Sequence, residues 1–175
     1  SSDVCSSDLM AEGAALGSYT FTDFRGHSKK EQKAPLSEIF IDADGDNKLL
    51  KEIEIVTKWT FFVRDLVNMP PSYLNPKKFA ELVSAQAKKV SGVKVKVWDE
   101  KQLKSQGFGG LIGVGQGSAN PPRLVSLSYK PAKAKRTLAY VGKGITFDSG
   151  GLALKPAANM DEMKADMTGA ASVVG

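Results

Sequence analysis

The chain has 175 residues, 42% hydrophobic and 25% charged, which is enough to bury a core and is not the composition of a disordered chain. Its net charge of +5 comes from lysines dispersed along the chain, from Lys29–Lys30 to Lys133–Arg136. That pattern reads as solvated faces and lacks the dense basic patch with interleaved aromatics that nucleic-acid binding calls for. The single cysteine, Cys5, excludes an internal disulfide framework and fits a reducing, cytoplasmic compartment. No apolar run approaches the ~20 residues that cross a bilayer. No basic stretch precedes an apolar one at the start, so no secretory leader is expected.

Residues 1–9 repeat Ser-Ser-Asp without periodicity and read as a non-native segment, to be set apart from the fold. Residues 10–26 read as the end of a helix followed by Ser18–Phe24 with strand character. Residues 27–38 are polar and contain proline, a loop or linker, and Ile39–Ile41 reads as a short strand. The acidic run Asp42–Asp46 invites a calcium-loop reading, which needs Gly at the sixth position and Glu at the twelfth. Those positions hold Asn47 and Ile53, so an acidic hairpin turn is expected instead.

From Lys51 to Val67 the pattern is helical, with Trp59, Phe62, Val63 and Leu66 on one stripe. Met69-Pro70-Pro71 ends it, because the residue before a proline disfavours the helical region. Asn75 and Pro76 then supply an N-cap and an N1 proline for a second helix. Phe79, Leu82, Val83 and Ala87 form its apolar face, and Gly92 stops it. Val93, Val95 and Val97 alternate with Lys94 and Lys96, which predicts a half-buried strand. A short helix over 99–106, a glycine-rich stretch over 107–117, and strands over Leu124–Tyr129 and Thr137–Gly142 follow. A helix begins near residue 160. This order predicts an α/β class, with a central mixed β-sheet flanked by helices.

The two glycine-rich runs fail as phosphate loops. The dinucleotide fingerprint needs a third glycine where Ser118 and Phe147 stand, and no GxxxxGK[ST] run occurs. The remaining signal is Lys143, Asp148, Lys155 and Asp166. Lys143 lies just past the apolar segment 137–141, where open α/β sheets place their sites. In the last helix Met160, Met163, Met167, Ala170, Ala171 and Val174 share one stripe at about 100° per residue. Asp161 and Glu162 fall off it as solvated charges near the positive end of the helix dipole. Asp166 sits at its edge, partly buried and in need of a partner, either a lysine or a metal ion. With one histidine and one cysteine, a thiolate–imidazole zinc site is excluded.

The run Gly142-Lys143-Gly144-Ile145-Thr146-Phe147-Asp148-Ser149-Gly150-Gly151, with Lys155 and the segment Asn159–Met167, resembles the leucyl (cytosol) aminopeptidase family, peptidase family M17. The resemblance extends to Arg64–Pro71 and Asn75-Pro76 and covers roughly 50–175. It implies a zinc-exopeptidase-like catalytic domain from 51 to 175, present only in its N-terminal part, with 10–50 as the end of a smaller domain and a linker.

It further implies a hydrolase that removes N-terminal residues, leucine among them, from peptides by a two-metal mechanism. Lys143 through its neutral amine, Asp148 as a bridge and Asp166 would be ligands of two divalent ions, Mn²⁺ or Zn²⁺. Lys155, as a cation, would stabilise the oxyanion. Met163 would line the pocket for the substrate's N-terminal side chain.

The family completes its site with a later Asn-Thr-Asp-Ala-Glu-Gly-Arg-type segment, whose arginine holds a bicarbonate. That segment does not occur here, so the polypeptide is expected to be a fragment, inactive and a weak metal binder by itself. The resemblance also implies a homohexamer at full length and a cytoplasmic location. Its alternatives are a DNA-binding regulatory member of the same family and an inactive structural paralogue.

Overall fold

The computed structural model describes residues 4–31, 38–40 and 47–175. The chain divides into two compact units, Ser1–Asn68 together with Gly175, and Met69–Val174. In the first unit, helix α1 (Val4–Gly17) packs on helix α2 (Asn47–Asn68), and a 3₁₀ turn spans His27–Lys29. Helix α1 thus begins inside the stretch that the sequence set apart as 1–9.

Helix α2 forms where the periodicity places it. Leu66 is fully buried, Trp59, Phe62 and Val63 are half-buried, and Trp59 meets Phe62 edge-on.

The strand expected over Ser18–Phe24 does not form. The reason lies in Tyr19, whose groups are used by α2 instead of a ladder. Its ring lies 5.1 Å from that of Phe61, and the Arg64 guanidinium sits 3.8 Å above it. Its hydroxyl donates to Asp65 at 2.8 Å and accepts from Asn68 at 3.1 Å. Burial, foremost, pushes this phenol up to about 12. Phe24, at φ 60°, then breaks the extended path. Arg64 also donates to the carbonyl of Leu16, satisfying one free group at the end of α1. The strand expected at Ile39–Ile41 is absent over 38–40, and Ile41 with the acidic turn 42–46 lies outside the described residues.

The second unit runs through α3 (Pro76–Ala87), β1 (Val93–Trp98), α4 (Glu100–Ser105), α5 (Gly109–Gly115), β2 (Leu124–Tyr129), a 3₁₀ segment (Met160–Met167) and α6 (Thr168–Val174). The side chain of Asn75 caps α3 by accepting from the Lys78 amide at 3.0 Å, with Pro76 in the first turn. Asp99 and Gln102 form a reciprocal capping box that starts α4. Helix α3 ends at Ala87, and Gly92, at φ +80°, turns the chain into β1.

Strands β1 and β2 pair antiparallel, in register from Val93 opposite Tyr129 to Trp98 opposite Leu124. Val93, Val95, Val125 and Leu127 share one face and are half-buried, whereas Lys94, Lys96, Ser126 and Ser128 on the other are exposed. Helix α3 packs on this pair through its buried Phe79, Ala80, Val83 and Ala87 face. Leu74, Leu103 and Met167 are also fully buried, and each large apolar side chain so placed contributes about 1.5–3 kcal/mol.

The glycine-rich stretch becomes helix α5. The α/β class stands, with one correction to its sheet: Thr137–Gly142 forms no ladder. Among the described residues no strand pairs with it, and Leu138, Tyr140 and Val141 are exposed. An apolar run becomes a strand only when its backbone groups find a partner.

Candidate active site

The five candidate residues all belong to the second unit, on two pieces of chain, the loop 142–155 and the 3₁₀ segment with α6. The seam between them is made of small residues. A Cβ at Gly142 would overlap the backbone of Gly169 and Ala170, and Gly144 lies against the Ala170 methyl. The Ala170 amide donates to the Lys143 carbonyl at 2.7 Å, which ties the loop to the first turn of α6. Lys143 and Asp166 are thereby brought together, with Lys143 Nζ 3.0 Å from Asp166 Oδ1.

The loop then folds back on itself. The Gly150 amide donates to Asp148 Oδ1 at 3.0 Å, and the Lys155 amide donates to the Ser149 carbonyl at 2.9 Å. Gly150, at φ +89°, leaves no room for a side chain against the Ala153 carbonyl. The result is a second ion pair, Lys155 Nζ to Asp148 Oδ2 at 2.8 Å, with Lys155 also donating to the Met163 sulfur at 3.0 Å.

Both lysines therefore meet a carboxylate, but the two pairs differ. Asp166 is mostly covered, with 22% of its side chain exposed. Its Oδ2 is buried and has no hydrogen-bond partner among the described residues. A buried carboxylate oxygen left without a partner carries an uncompensated desolvation cost, which a cation would offset. Oxygen ligands beside an amine suit a hard or borderline divalent ion. The residues present thus fit a metal on the Lys143–Asp166 side. Among the described residues no three His, Cys, Asp or Glu side chains converge, so the Lys143 amine is the further side-chain donor that stands beside Asp166.

Asp148 has no orphaned oxygen. The hydrogen bond from Lys155, then that from the Gly150 amide, hold its carboxyl below the ordinary 3.8, and the charges of Lys155 and Lys143 add to this. A depressed folded-state pKa stabilises the fold above the unfolded value, and that contribution is lost as pH falls through the depressed value. The gap in melting temperature between wild type and Asp148→Asn is expected to narrow as pH falls below 3.8. A gap independent of pH would contradict it.

The sequence reading foresaw Asp166 at the edge of its stripe and Asp161 and Glu162 as solvated charges, and all three are so placed. It missed the contact of Met163 with Lys155. It also missed the seam of Gly142, Gly144, Gly169 and Ala170, for which the only signal was the run of small residues on both sides.

A family model described as the catalytic domain of the cytosol aminopeptidase family matches residues 61–175. This chain belongs to that family. A "Probable cytosol aminopeptidase" of Leifsonia xyli subsp. xyli is 53% identical over 165 residues, 93% of this chain and 33% of the relative. One of Streptomyces avermitilis is 47% identical over 178 residues, 98% of this chain and 34% of the relative. Among solved structures, a cytosol aminopeptidase from Coxiella burnetii superposes with a TM-score of 0.82 at 31% identity, over 95% of this chain and 34% of the other. The bottromycin maturation enzyme BotP in complex with Mn gives 0.83 at 40% identity, over 96% and 34%. The chain spans about a third of the length of the curated cytosol aminopeptidases it matches. No helix among the described residues is long and apolar enough to cross a membrane.

Proposed function

We propose that this chain supplies one part of the active site of a divalent-metal aminopeptidase, which removes N-terminal residues such as leucine from peptides. The observation that carries the reading is the buried, unpartnered Asp166 Oδ2 beside the Lys143 amine. The family supports the activity, and the Mn complex of BotP supports a divalent ion as cofactor.

Lys143 and Asp166 would hold one ion, and Asp148 would bridge it to a second. Two divalent ions supply Lewis-acid polarisation of the scissile carbonyl and a water acidic enough to attack it. The chain's own residues do the rest. Lys143 would ligate only as a free amine, so its ammonium would have to give a proton to solvent and give up its ion pair with Asp166. Lys155 keeps its proton and faces the carbonyl oxygen, where it stabilises the negative charge that develops. Met163, half-buried beside it, lines the pocket for the N-terminal side chain.

The ions would be Mn²⁺ or Zn²⁺, and a bicarbonate bound in the full-length protein would supply a base. The assembled protein is a cytoplasmic homohexamer. The relatives' names support the cytosolic assignment.

The test is hydrolysis of a leucyl chromogenic amide by the full-length protein, with Mn²⁺ and after chelation. Metal-dependent hydrolysis is expected at full length and none from residues 1–175 alone. Hydrolysis by residues 1–175, abolished by Lys155→Ala, would contradict the partial-site reading. No hydrolysis at full length would contradict the function.

A further inference from the structure

The ammonium of Lys155 has three N–H donors. Two are already engaged, one on Asp148 Oδ2 at 2.8 Å and one on the Met163 sulfur at 3.0 Å. A methionine that only lined an apolar pocket would have no reason to turn its sulfur onto a cation. A single acceptor would leave the flexible lysine side chain free to swing its Cε–Nζ bond about the Nζ–Oδ2 line, carrying the other N–H bonds with it. Two acceptors on different pieces of chain, the loop and the 3₁₀ segment, fix the direction of the third N–H.

We propose that Met163 is a positioning residue for Lys155, its thioether and the Asp148 carboxylate together aiming the third N–H at the oxygen of the scissile carbonyl. The proposal rests on the aminopeptidase reading above and deepens it. The division of labour follows from the chemistry of the two acceptors. Asp148 must also serve the ions, so its oxygens are shared. A thioether is a poor ligand for Mn²⁺, so the sulfur remains with the ammonium. Orientation of this kind acts on the transition state rather than on ground-state binding.

The test compares wild type, Met163→Leu and Met163→Gln in the full-length protein, each also with Lys155→Ala, on alanyl and leucyl chromogenic amides. Leucine conserves the volume but removes the acceptor, and glutamine keeps an acceptor at similar length. Met163→Leu is expected to lower kcat about fivefold for both substrates with KM little changed, the size of one modest hydrogen bond. Met163→Gln should recover most of this. Mn²⁺ bound per chain should be unchanged. In the Lys155→Ala background Met163→Leu should have no further effect, because its action passes through the lysine.

A loss confined to the leucyl substrate, or one that adds to Lys155→Ala, would overturn the proposal and leave Met163 to the pocket alone. Loss of Mn²⁺ would overturn it by placing Met163's influence on the ligands. A wild-type protein without metal-dependent activity would instead overturn the aminopeptidase reading on which the proposal stands.

Discussion

Asp166→Ala in the full-length protein is expected to lose metal and activity together. Removing an outer partner of a metal ligand costs roughly 10–100-fold in affinity, and removing a ligand should cost more than that. Activity should fall to background at any Mn²⁺ concentration that saturates the wild type. The metal-free fold should hardly notice. Lys143 is 61% exposed, so its ion pair with Asp166 is screened and its loss costs less than about 1 kcal/mol. Deleting Asp166 also removes the buried oxygen that has no partner. Metal titration followed by melting temperature checks both halves: the variant should melt near the metal-free wild type and gain nothing from Mn²⁺. A variant that binds Mn²⁺ as the wild type does would show that Asp166 is only the lysine's counter-ion.

Lys155→Ala should separate the two properties that Asp166→Ala loses together. Loss of one donor to a developing oxyanion costs about 10²–10³-fold in kcat. Asp148 would keep its hydrogen bond from the Gly150 amide, so the proposed ligand set should survive and metal binding should be retained. Lys155→Arg should not restore the rate. The planar guanidinium cannot reproduce the tetrahedral head that meets Asp148 and Met163 at 2.8 and 3.0 Å. Steady-state kinetics beside metal content checks this, and a variant that loses metal with rate would reassign Lys155 as a ligand.

Local signals in the sequence carried the helices. Asn75-Pro76 announced the start of α3, and the i, i+3, i+4 stripes announced α2 and the burial of Met167 and Ala171. The alternation of valine and lysine announced β1. The misses were the segments whose structure depends on a partner. Ser18–Phe24 has the composition of a strand, yet Tyr19 is claimed by Phe61, Arg64, Asp65 and Asn68 of α2, a fact of tertiary packing that no window contains. Thr137–Gly142 has the apolar run of a central strand, but pairing is a property of two segments, and among the described residues it has none. The last helix began where expected, but as a 3₁₀ segment over Met160–Met167 before α6.

The candidate site was legible as a set but not as pairs. Composition and spacing left Lys143, Asp148, Lys155 and Asp166 as ordinary charges, and the family resemblance gave them roles. The pairing of Lys143 with Asp166, and of Lys155 with both Asp148 and Met163, comes from a loop that doubles back at Gly150 and a seam that closes at Gly142. Neither has a periodic signature, because contact across a loop follows the backbone path rather than the residue count.

In the proposed function two lysines of one loop have opposite duties, Lys143 as a ligand and Lys155 as a cation that never touches the metal. Equilibrium dialysis against Mn²⁺ of the full-length Lys143→Ala and Lys155→Ala variants beside the wild type tests it most directly. Lys143→Ala should bind one ion fewer per chain and Lys155→Ala as many as the wild type; equal counts for the two variants, or a loss in Lys155→Ala alone, would contradict the account.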